Sequence, residues 1–340
     1  MDGTLVDGVV EVGDDARQQF YDSRGYGRPL SGNRLALAPV EAAHLLWRGD
    51  LDAVDGMGFA AFLSDCADLL PFVVYRDLRE RGFYLSPARG GWVDDPAGAD
   101  LVVYPRGNGP WDDEIAYRVR VHGERETVPA RSLGDVTLAI VDEEGELTYL
   151  DTARVTAGGD ADSGTADLPS GVAADLVAGR VVAWDPPTAL YEGAFFGQRL
   201  GGRNADGGPL QLSLVEAAYL ARRGVIDIAE STVVARGRET EGDRFDGRLR
   251  AYAAMRTAGS VPKSGFKFGA DFRAYDDFGG IDDMGHSNRL VRVVPADHTF
   301  LPRDLSLDVR LAGGVRKRMV FALTDATNGI DWLSVGRLTP

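Results

Sequence analysis

Two stretches of the chain place apolar residues with the period of an α-helix, and they resemble each other. Residues 37–45 read LAPVEAAHL and residues 212–220 read LSLVEAAYL. The apolar positions recur every three or four residues, which predicts amphipathic helices with one buried face. A second pair of predicted helices spans residues 74–82 and 251–259, and each member stops at a glycine, a residue that often follows a helix end.

Short runs of alternating or β-branched apolar residues also occur in pairs, and their pattern predicts strands. The matched pairs are residues 100–104 with 271–275, 117–121 with 289–293, and 138–142 with 321–325. Helices and strands therefore follow one another in the same order twice, which predicts an internal duplication.

The duplication predicts a mixed α/β (α+β) fold of two tandem repeats. We expect a first repeat at residues 1–155 and a second repeat at residues 171–340. Residues 156–170, rich in Gly, Asp, Ala and Ser, are predicted to be an exposed linker. Each repeat is expected to contain an N-terminal α/β subdomain and a C-terminal subdomain of sheet and helix. The predicted subdomains are residues 1–66, 67–155, 171–240 and 241–340.

Composition adds that the chain is strongly acidic. Its 340 residues include 52 acidic and 37 basic side chains, for a formal net charge of −15, and lysine occurs only at Lys263, Lys267 and Lys317. Acid-rich, lysine-poor chains are typical of a salt-saturated cytoplasm, where the screening length falls below about 3 Å. The net charge is then no argument against a nucleic-acid partner.

Several classes of protein are disfavoured. A single cysteine, Cys66, excludes an internal disulfide and cysteine-rich zinc sites. The four histidines have no HxH or HxxxH spacing, and there is no phosphate-binding GxxxxGK[ST] loop or nucleophile elbow. No apolar run approaches the roughly 20 residues of a membrane span, and the start lacks the features of a secretion signal. We expect a cytoplasmic protein with no metal, no cofactor and no membrane contact.

The two repeats differ at three chemically important positions. Tyr275 has a counterpart in Tyr104, but Lys317 lies opposite Gly134, and His286 lies opposite an acidic residue near Asp113. Taken singly, each residue has an ordinary structural interpretation. Tyr275 would be a packed strand end, His286 a surface-loop histidine, and Lys317 a solvated flank of a strand.

Together these positions resemble the archaeal tRNA-splicing endonuclease (tRNA-intron lyase) family, in the tandem-repeat, homodimeric form of halophilic archaea. The stretch GFKFGADFRAY at residues 265–275 is similar to that family's tyrosine motif. His286-Ser287 is similar to its histidine motif, and Val315-Arg316-Lys317 to its lysine motif. The resemblance covers the whole chain. It implies that the first repeat is degenerate and non-catalytic, and that the C-terminal subdomains are nuclease-like.

The resemblance implies cleavage of precursor tRNA at bulge-helix-bulge sites by the ribose 2′-hydroxyl, without a metal ion. The products would be a 2′,3′-cyclic phosphate and a 5′-hydroxyl end. Tyr275 would take the 2′-proton, His286 would protonate the leaving 5′-oxygen, and Lys317 would stabilise charge on the phosphorane. A phenol needs a neighbouring cation for this role near neutral pH.

The resemblance also implies contacts with RNA and with a second chain. Arg310 and Trp332 would grip an unpaired bulge base, and Arg316 and Arg289 are further expected RNA contacts. One complete triad per chain implies a homodimer for two cuts. The acidic turn formed by Asp142, Glu143, Glu144 and Glu146 would dock into the partner chain, although it is also compatible with an ordinary exposed hairpin turn.

Two other functions are also compatible with the sequence. A non-catalytic RNA-binding or structural subunit would keep the fold without the chemistry. A metal-dependent DNA nuclease would use a similar sheet but would lose its activity when the metal is chelated.

Overall fold

The computed structural model describes residues 1–13, 15–112, 114–158, 168–203, 205–281, 285–325 and 329–340. Its first sheet has the strand order β3-β4-β2-β1-β5. The strands are β1 (Asp2–Val6), β2 (Val9–Val12), β3 (Arg28–Pro29), β4 (Leu35–Leu37) and β5 (Ala53–Val54). An Asp7-Gly8 turn joins β1 to β2, and both residues have positive φ, as a tight two-residue hairpin turn requires.

A second sheet repeats this connectivity in the other half of the chain, with the order β14-β15-β13-β12-β16. Its strands are β12 (Val172–Val177), β13 (Arg180–Ala183), β14 (Gln198–Arg199), β15 (Leu210–Leu212) and β16 (Ile226–Asp227). Gly27 and Gly197 occupy equivalent positions with positive φ. A Cβ atom there would lie 2.4 Å from the Ala36 carbonyl oxygen and 2.7 Å from that of Gln211. Only glycine fits at these two places.

In each half, helices pack against one face of the sheets. They are α1 (Pro39–Arg48), α2 (Phe59–Cys66), α3 (Leu69–Glu80), α4 (Thr188–Glu192), α5 (Leu214–Arg222), α6 (Glu230–Glu241) and α7 (Arg244–Thr257). The helix predicted from residues 37–45 is α1, which begins at Pro39 and ends before Gly49 in the left-handed conformation. Its counterpart α5 begins after Ser213, whose hydroxyl accepts a hydrogen bond from the Glu216 N–H.

The C-terminal parts of both halves share one ten-stranded sheet, in the order β17-β18-β19-β21-β22-β11-β10-β8-β7-β6. The strands of the first half are β6 (Leu85–Pro87), β7 (Leu101–Val103), β8 (Tyr117–Gly123), β10 (Val136–Val141) and β11 (Leu147–Val155). Those of the second half are β17 (Val261–Ser264), β18 (Phe272–Tyr275), β19 (Arg289–Pro295), β21 (Arg318–Thr324) and β22 (Ile330–Leu338). The two halves meet at the antiparallel pair β11–β22.

The two halves differ in how they cross between parallel strands. In the second half, β19 and β21 are joined through the short strand β20 (Thr299–Phe300) and helix α8 (Pro302–Gly314). In the first half, β8 and β10 are joined by residues 124–135, all described, which form only β9 (Val128–Pro129) and a 3₁₀ turn. Strands β9 and β20 pair with each other, so the two crossovers are in contact.

Three hydrophobic clusters hold these layers together. One lies in each half, between the helices and one face of the large sheet, and includes Tyr252 and Tyr75 respectively. The third lies on the opposite face under α8 and contains side chains from both halves, among them Leu138, Leu305 and Leu333. The mixed α/β fold with a duplicated arrangement, predicted from the sequence, is confirmed. None of the helices in the described residues is long and apolar enough to cross a membrane.

Candidate active site

Three neighbouring strands bring the sequence-predicted residues to one end of the large sheet. Ala274 of β18 pairs with Arg289 of β19, which pairs with Arg318 of β21. Tyr275 follows Ala274, and Lys317 precedes Arg318. Since adjacent strands lie about 4.8 Å apart, the Tyr275 and Lys317 backbones are about 10 Å apart across the strand between them.

Tyr275 is the last residue of β18 and is only 4% exposed. Its ring packs edge-on against Phe195, with the ring centroids 6.0 Å apart. Phe195 stacks in turn on Phe278, so the ring that contacts the tyrosine is itself held by a second aromatic ring. The orientation of Tyr275 is thus set by packing between the large sheet and the loop that follows α4.

Lys317 lies between the end of α8 and the start of β21. Its ammonium group donates a 2.5 Å hydrogen bond to the carbonyl oxygen of Ser287 and lies 5.9 Å from the centre of the Phe268 ring. Partial burial, followed by the nearby Arg273 guanidinium, lowers the pKa of Lys317. An anion bound beside this group would relieve the repulsion between the two cations.

His286 is exposed on the loop that enters β19. It is the residue before Ser287, so the hydrogen bond from Lys317 holds the lysine next to the histidine's own segment. The Asn288 N–H also donates to the Ala274 carbonyl oxygen over 3.0 Å. The structure therefore gathers the segments of Tyr275, His286 and Lys317 at one edge. Asp113, the expected counterpart of His286, lies outside the described residues.

Arg273 is a fourth member of this region that the sequence comparison did not single out. Its guanidinium carbon lies 5.7 Å from the centre of the Tyr275 ring. Its spacing of two residues from Tyr275 could have indicated it, because residues two apart on a strand project from the same face. Lys263, the residue directly opposite it on β17, is tied into a different network.

Lys263 forms a buried ion pair with Glu216. Its ammonium group donates to a Glu216 carboxylate oxygen at 2.9 Å and to the carbonyl oxygens of Phe195 and Gly197 at 3.1 and 2.8 Å. Burial would raise the pKa of Glu216, but the Lys263 charge and hydrogen bonds from the Ser213 and Gly197 N–H groups bring it below its usual value. This lysine fastens the N-terminal subdomain of its half to the large sheet.

The first half has no such cation cluster at the equivalent position. The strand registers place Ser86 at the position of Lys263, Val102 at that of Arg273, and Gly134 at that of Lys317. The Tyr104 hydroxyl donates to the Ser86 hydroxyl over 3.0 Å. At Gly134, with φ of 119°, a Cβ atom would lie 2.7 Å from the Arg154 side chain. A lysine would not fit there without displacing Arg154.

Arg310 and Trp332 are not brought together within one chain. Trp332 is 6% exposed and belongs to the cluster between the helices of the second half and the sheet. Helix α8, which carries Arg310, packs on the opposite face with Leu333 and Val335. Neighbouring residues of a strand point to opposite faces, so the direction of Trp332 follows from its place on β22.

Arg337, which the sequence analysis missed, lies on the same face as Arg310. Both are exposed and line a groove of about 600 Å³ between α8 and strands β10 and β11. Leu150, Ile140 and Leu307 form part of its apolar lining, and Asp142 and Glu146 of the acidic turn line it as well. The groove lies where the first half lacks a counterpart of α8.

The other predicted contact residues have differing environments. Arg316 is exposed just after α8. Arg289 is 12% exposed and forms an ion pair with Asp276. Its guanidinium also donates hydrogen bonds to the Ser260 hydroxyl and to the carbonyl oxygens of residues 156 and 157. Its hydrogen bonds indicate a structural role at the junction of the two halves.

The acidic turn projects between β10 and β11. Asp142 accepts hydrogen bonds from the N–H groups of Glu144 and Glu146, and Glu143 pairs with Arg125 at 2.7 Å. Within one chain it is an exposed hairpin turn. No group of three or more His, Cys, Asp or Glu side chains with metal-binding geometry is found in the described part of the chain.

Comparison with known proteins agrees with this architecture. The family model for the catalytic C-terminal domain of tRNA intron endonucleases matches residues 245–332. The model for the N-terminal domain of the same family matches twice, at residues 1–63 and 172–236. The chain belongs to the tRNA intron endonuclease family.

Its similarity to individual curated proteins extends over the whole chain. It is 64% identical over 344 residues to the tRNA-splicing endonuclease of Haloferax volcanii and 60% identical over 345 residues to that of Natronomonas pharaonis, with both proteins in each pair fully covered. The tRNA-splicing endonuclease of Methanosarcina acetivorans is 34% identical, with 97% of each chain covered.

Proposed function

We propose that this protein is an endoribonuclease that excises introns from precursor tRNA at bulge-helix-bulge sites. The observation that carries the proposal is the row formed by Tyr275, the His286 loop and Lys317 at one end of three adjacent strands. In the equivalent row of the first half, the described positions are Tyr104 in place of Tyr275 and Gly134 in place of Lys317. Family membership and full-length similarity to tRNA-splicing endonucleases support the same substrate.

The proposed chemistry uses the substrate's own nucleophile. Tyr275 accepts the proton of the ribose 2′-hydroxyl while the 2′-oxygen attacks the adjacent phosphorus. His286 donates a proton to the departing 5′-oxygen, and Lys317 stabilises the charge that builds on the phosphorane. The products are a 2′,3′-cyclic phosphate and a 5′-hydroxyl end. His286 is exposed, as a group that must meet the leaving strand has to be.

We further propose that Arg310 and Arg337 grip an unpaired bulge base, in place of the Arg310–Trp332 pair expected from the sequence. Both arginines line one groove, and guanidinium planes stack well on bases. Trp332 instead supports the fold as a packed side chain. Arg316, exposed beside Lys317, is retained as a phosphate contact.

A homodimer follows from the proposed substrate. One chain carries one complete site, and two cuts are needed to release an intron. The acidic turn from Asp142 to Glu146 is exposed and available to a second chain. We propose that the two repeats, at residues 1–155 and 171–340, divide the work, with the first supplying this dimer contact and the second the chemistry. We expect the enzyme to act in the cytoplasm.

End-group analysis of the cut RNA tests the proposal. The wild-type protein, incubated with a bulge-helix-bulge RNA in excess EDTA, should yield 5′-hydroxyl and 2′,3′-cyclic phosphate ends. A 5′-phosphate, or loss of cleavage in EDTA, would favour a metal-dependent nuclease. If the RNA is bound but not cut, and Lys317→Ala changes neither result, the protein is a binding subunit.

A further inference from the structure

The position of Arg273 is unusual for a charged residue in a sheet. It lies directly opposite Lys263 on the neighbouring strand, and like charges in that position destabilise a strand pair. Glu216 neutralises Lys263. No acidic side chain within the described residues forms an ion pair with Arg273, and its Nε–H is buried without a hydrogen-bond acceptor there.

A buried N–H donor without an acceptor is destabilising, and Arg273 has such a donor within the described residues. The chain has no shortage of acids: 52 acidic residues outnumber 37 basic ones. Arg273 nevertheless faces the Tyr275 ring, and the strand registers place it on the same face of the sheet as Lys317, whose pKa its charge helps to lower. An incoming anion would satisfy both cations at once.

We propose that Arg273 is a further catalytic residue, whose guanidinium holds a non-bridging oxygen of the scissile phosphate alongside Lys317. The inference rests on the proposed function, since it places the phosphate beside Tyr275. Arginine suits this role because its planar donors match phosphate oxygens in pairs. The first half carries Val102 at this position and has no lysine to share an anion with.

Single-turnover cleavage of a bulge-helix-bulge RNA by Arg273→Gln tests this role. We expect a rate about 10²–10³-fold lower than wild type, the usual cost of removing one donor to a developing oxyanion. The dissociation constant for the RNA should change only a few fold. Arg273→Lys should recover part of the rate. Arg180→Gln is the matched control, because Arg180 is exposed on β13 and donates to the neighbouring Gly179 carbonyl oxygen; it should cleave as wild type.

Sulfur substitution at the scissile phosphate separates direct contact from a structural effect. One phosphorothioate isomer should slow the wild type more than it slows Arg273→Gln, because the variant has already lost the contact. Equal thio effects in both proteins, or a loss confined to RNA affinity, would overturn the inference. If Arg273→Gln does not fold, the thio effects of wild type and Arg273→Lys are compared instead, and the same outcomes support or overturn the inference. If wild-type protein does not cut the RNA, the proposed function itself fails; if it cuts and Arg273→Gln cuts equally well, only this inference fails.

Discussion

The two halves of the chain share a buried polar junction but differ in what lies next to it. In both, a helix-start glutamate accepts hydrogen bonds from a glycine N–H and from the residue before the helix: Glu41 from Gly27 and Ala38, Glu216 from Gly197 and Ser213. Only in the second half does a lysine, Lys263, form an ion pair with this glutamate.

An arginine completes the junction in each half. Arg79 donates to the Arg24 carbonyl oxygen over 2.9 Å, and Arg256 donates to that of Ala194 over 2.7 Å. Each guanidinium also stacks on an aromatic ring, Tyr26 or Phe196, at 3.6 and 3.8 Å. What both halves retain is therefore what the fold needs. Of the cations found only in the second half, Lys263 ties its glutamate to the large sheet, whereas Arg273 and Lys317 lie at the proposed active site.

The largest expected effect distinguishes the two equivalent tyrosines. Tyr275→Phe should slow RNA cleavage by about 10²–10⁴-fold, because the variant loses the group proposed to accept the 2′-proton. Tyr104→Phe removes a hydrogen bond to Ser86 and should cost stability by about 1 kcal/mol with no change in the cleavage rate. Single-turnover rates of both variants on one RNA provide the measurement. Equal losses in the two would mean that the halves are functionally equivalent.

Removing the lysine at the junction should destabilise the second half. Lys263→Met leaves Glu216 buried without its cation, and breaking one side of a buried ion pair costs about 3–5 kcal/mol. Urea denaturation at constant high salt measures the change in the free energy of unfolding. Ser86→Ala, at the equivalent position of the first half, is the control and should cost about 1 kcal/mol. A Lys263→Met protein as stable as wild type would show that the pair contributes nothing.

The two glutamates should respond to pH in opposite directions. Burial raises the pKa of Glu41 from 4.5 to about 7. Its contribution to stability is thus complete below pH 4.5 and is lost as the pH rises to about 7, a change of about 3 kcal/mol. The pKa of Glu216 is lowered, so its contribution is present above pH 4.5 and lost as the pH falls.

Glutamine variants make this difference measurable. Relative to wild type, Glu41→Gln should gain stability as the pH is raised from 5 to 8, while Glu216→Gln should show no such gain. Unfolding free energies at the two pH values, in the same salt, give the result. A Glu41→Gln variant whose difference from wild type is the same at both pH values would contradict the raised pKa.

The smallest expected effect concerns the groove between α8 of the second half and strands β10 and β11 of the first half. Arg337→Ala and Arg310→Ala should each weaken RNA binding by about 1–3 kcal/mol, the usual contribution of stacking to one base. Trp332→Phe, which keeps an aromatic side chain in the core, should leave RNA affinity unchanged. Filter binding or anisotropy at fixed salt measures all three. If Trp332→Phe weakens binding and Arg337→Ala does not, the base is held on the other face.

The chain alone determined the duplication, the helices at α1 and α5 and the paired strands, because periods of 3.6 and 2 are local properties of the backbone. It also singled out Tyr275, His286 and Lys317 as differences between the copies, and their catalytic roles stay predictions. Family membership, predicted from the same motifs, is confirmed.

Only the tertiary structure decided which side chains are neighbours. The partner of Lys263 lies 47 residues away. The lack of an acidic partner for Arg273 among the described residues, and the grouping of Arg337 with Arg310, depend on strand register and on which face of the sheet each helix covers. A shift of one residue in register would exchange the faces of Trp332 and its neighbours. Such relations arise from packing between distant segments, and no local pattern encodes them.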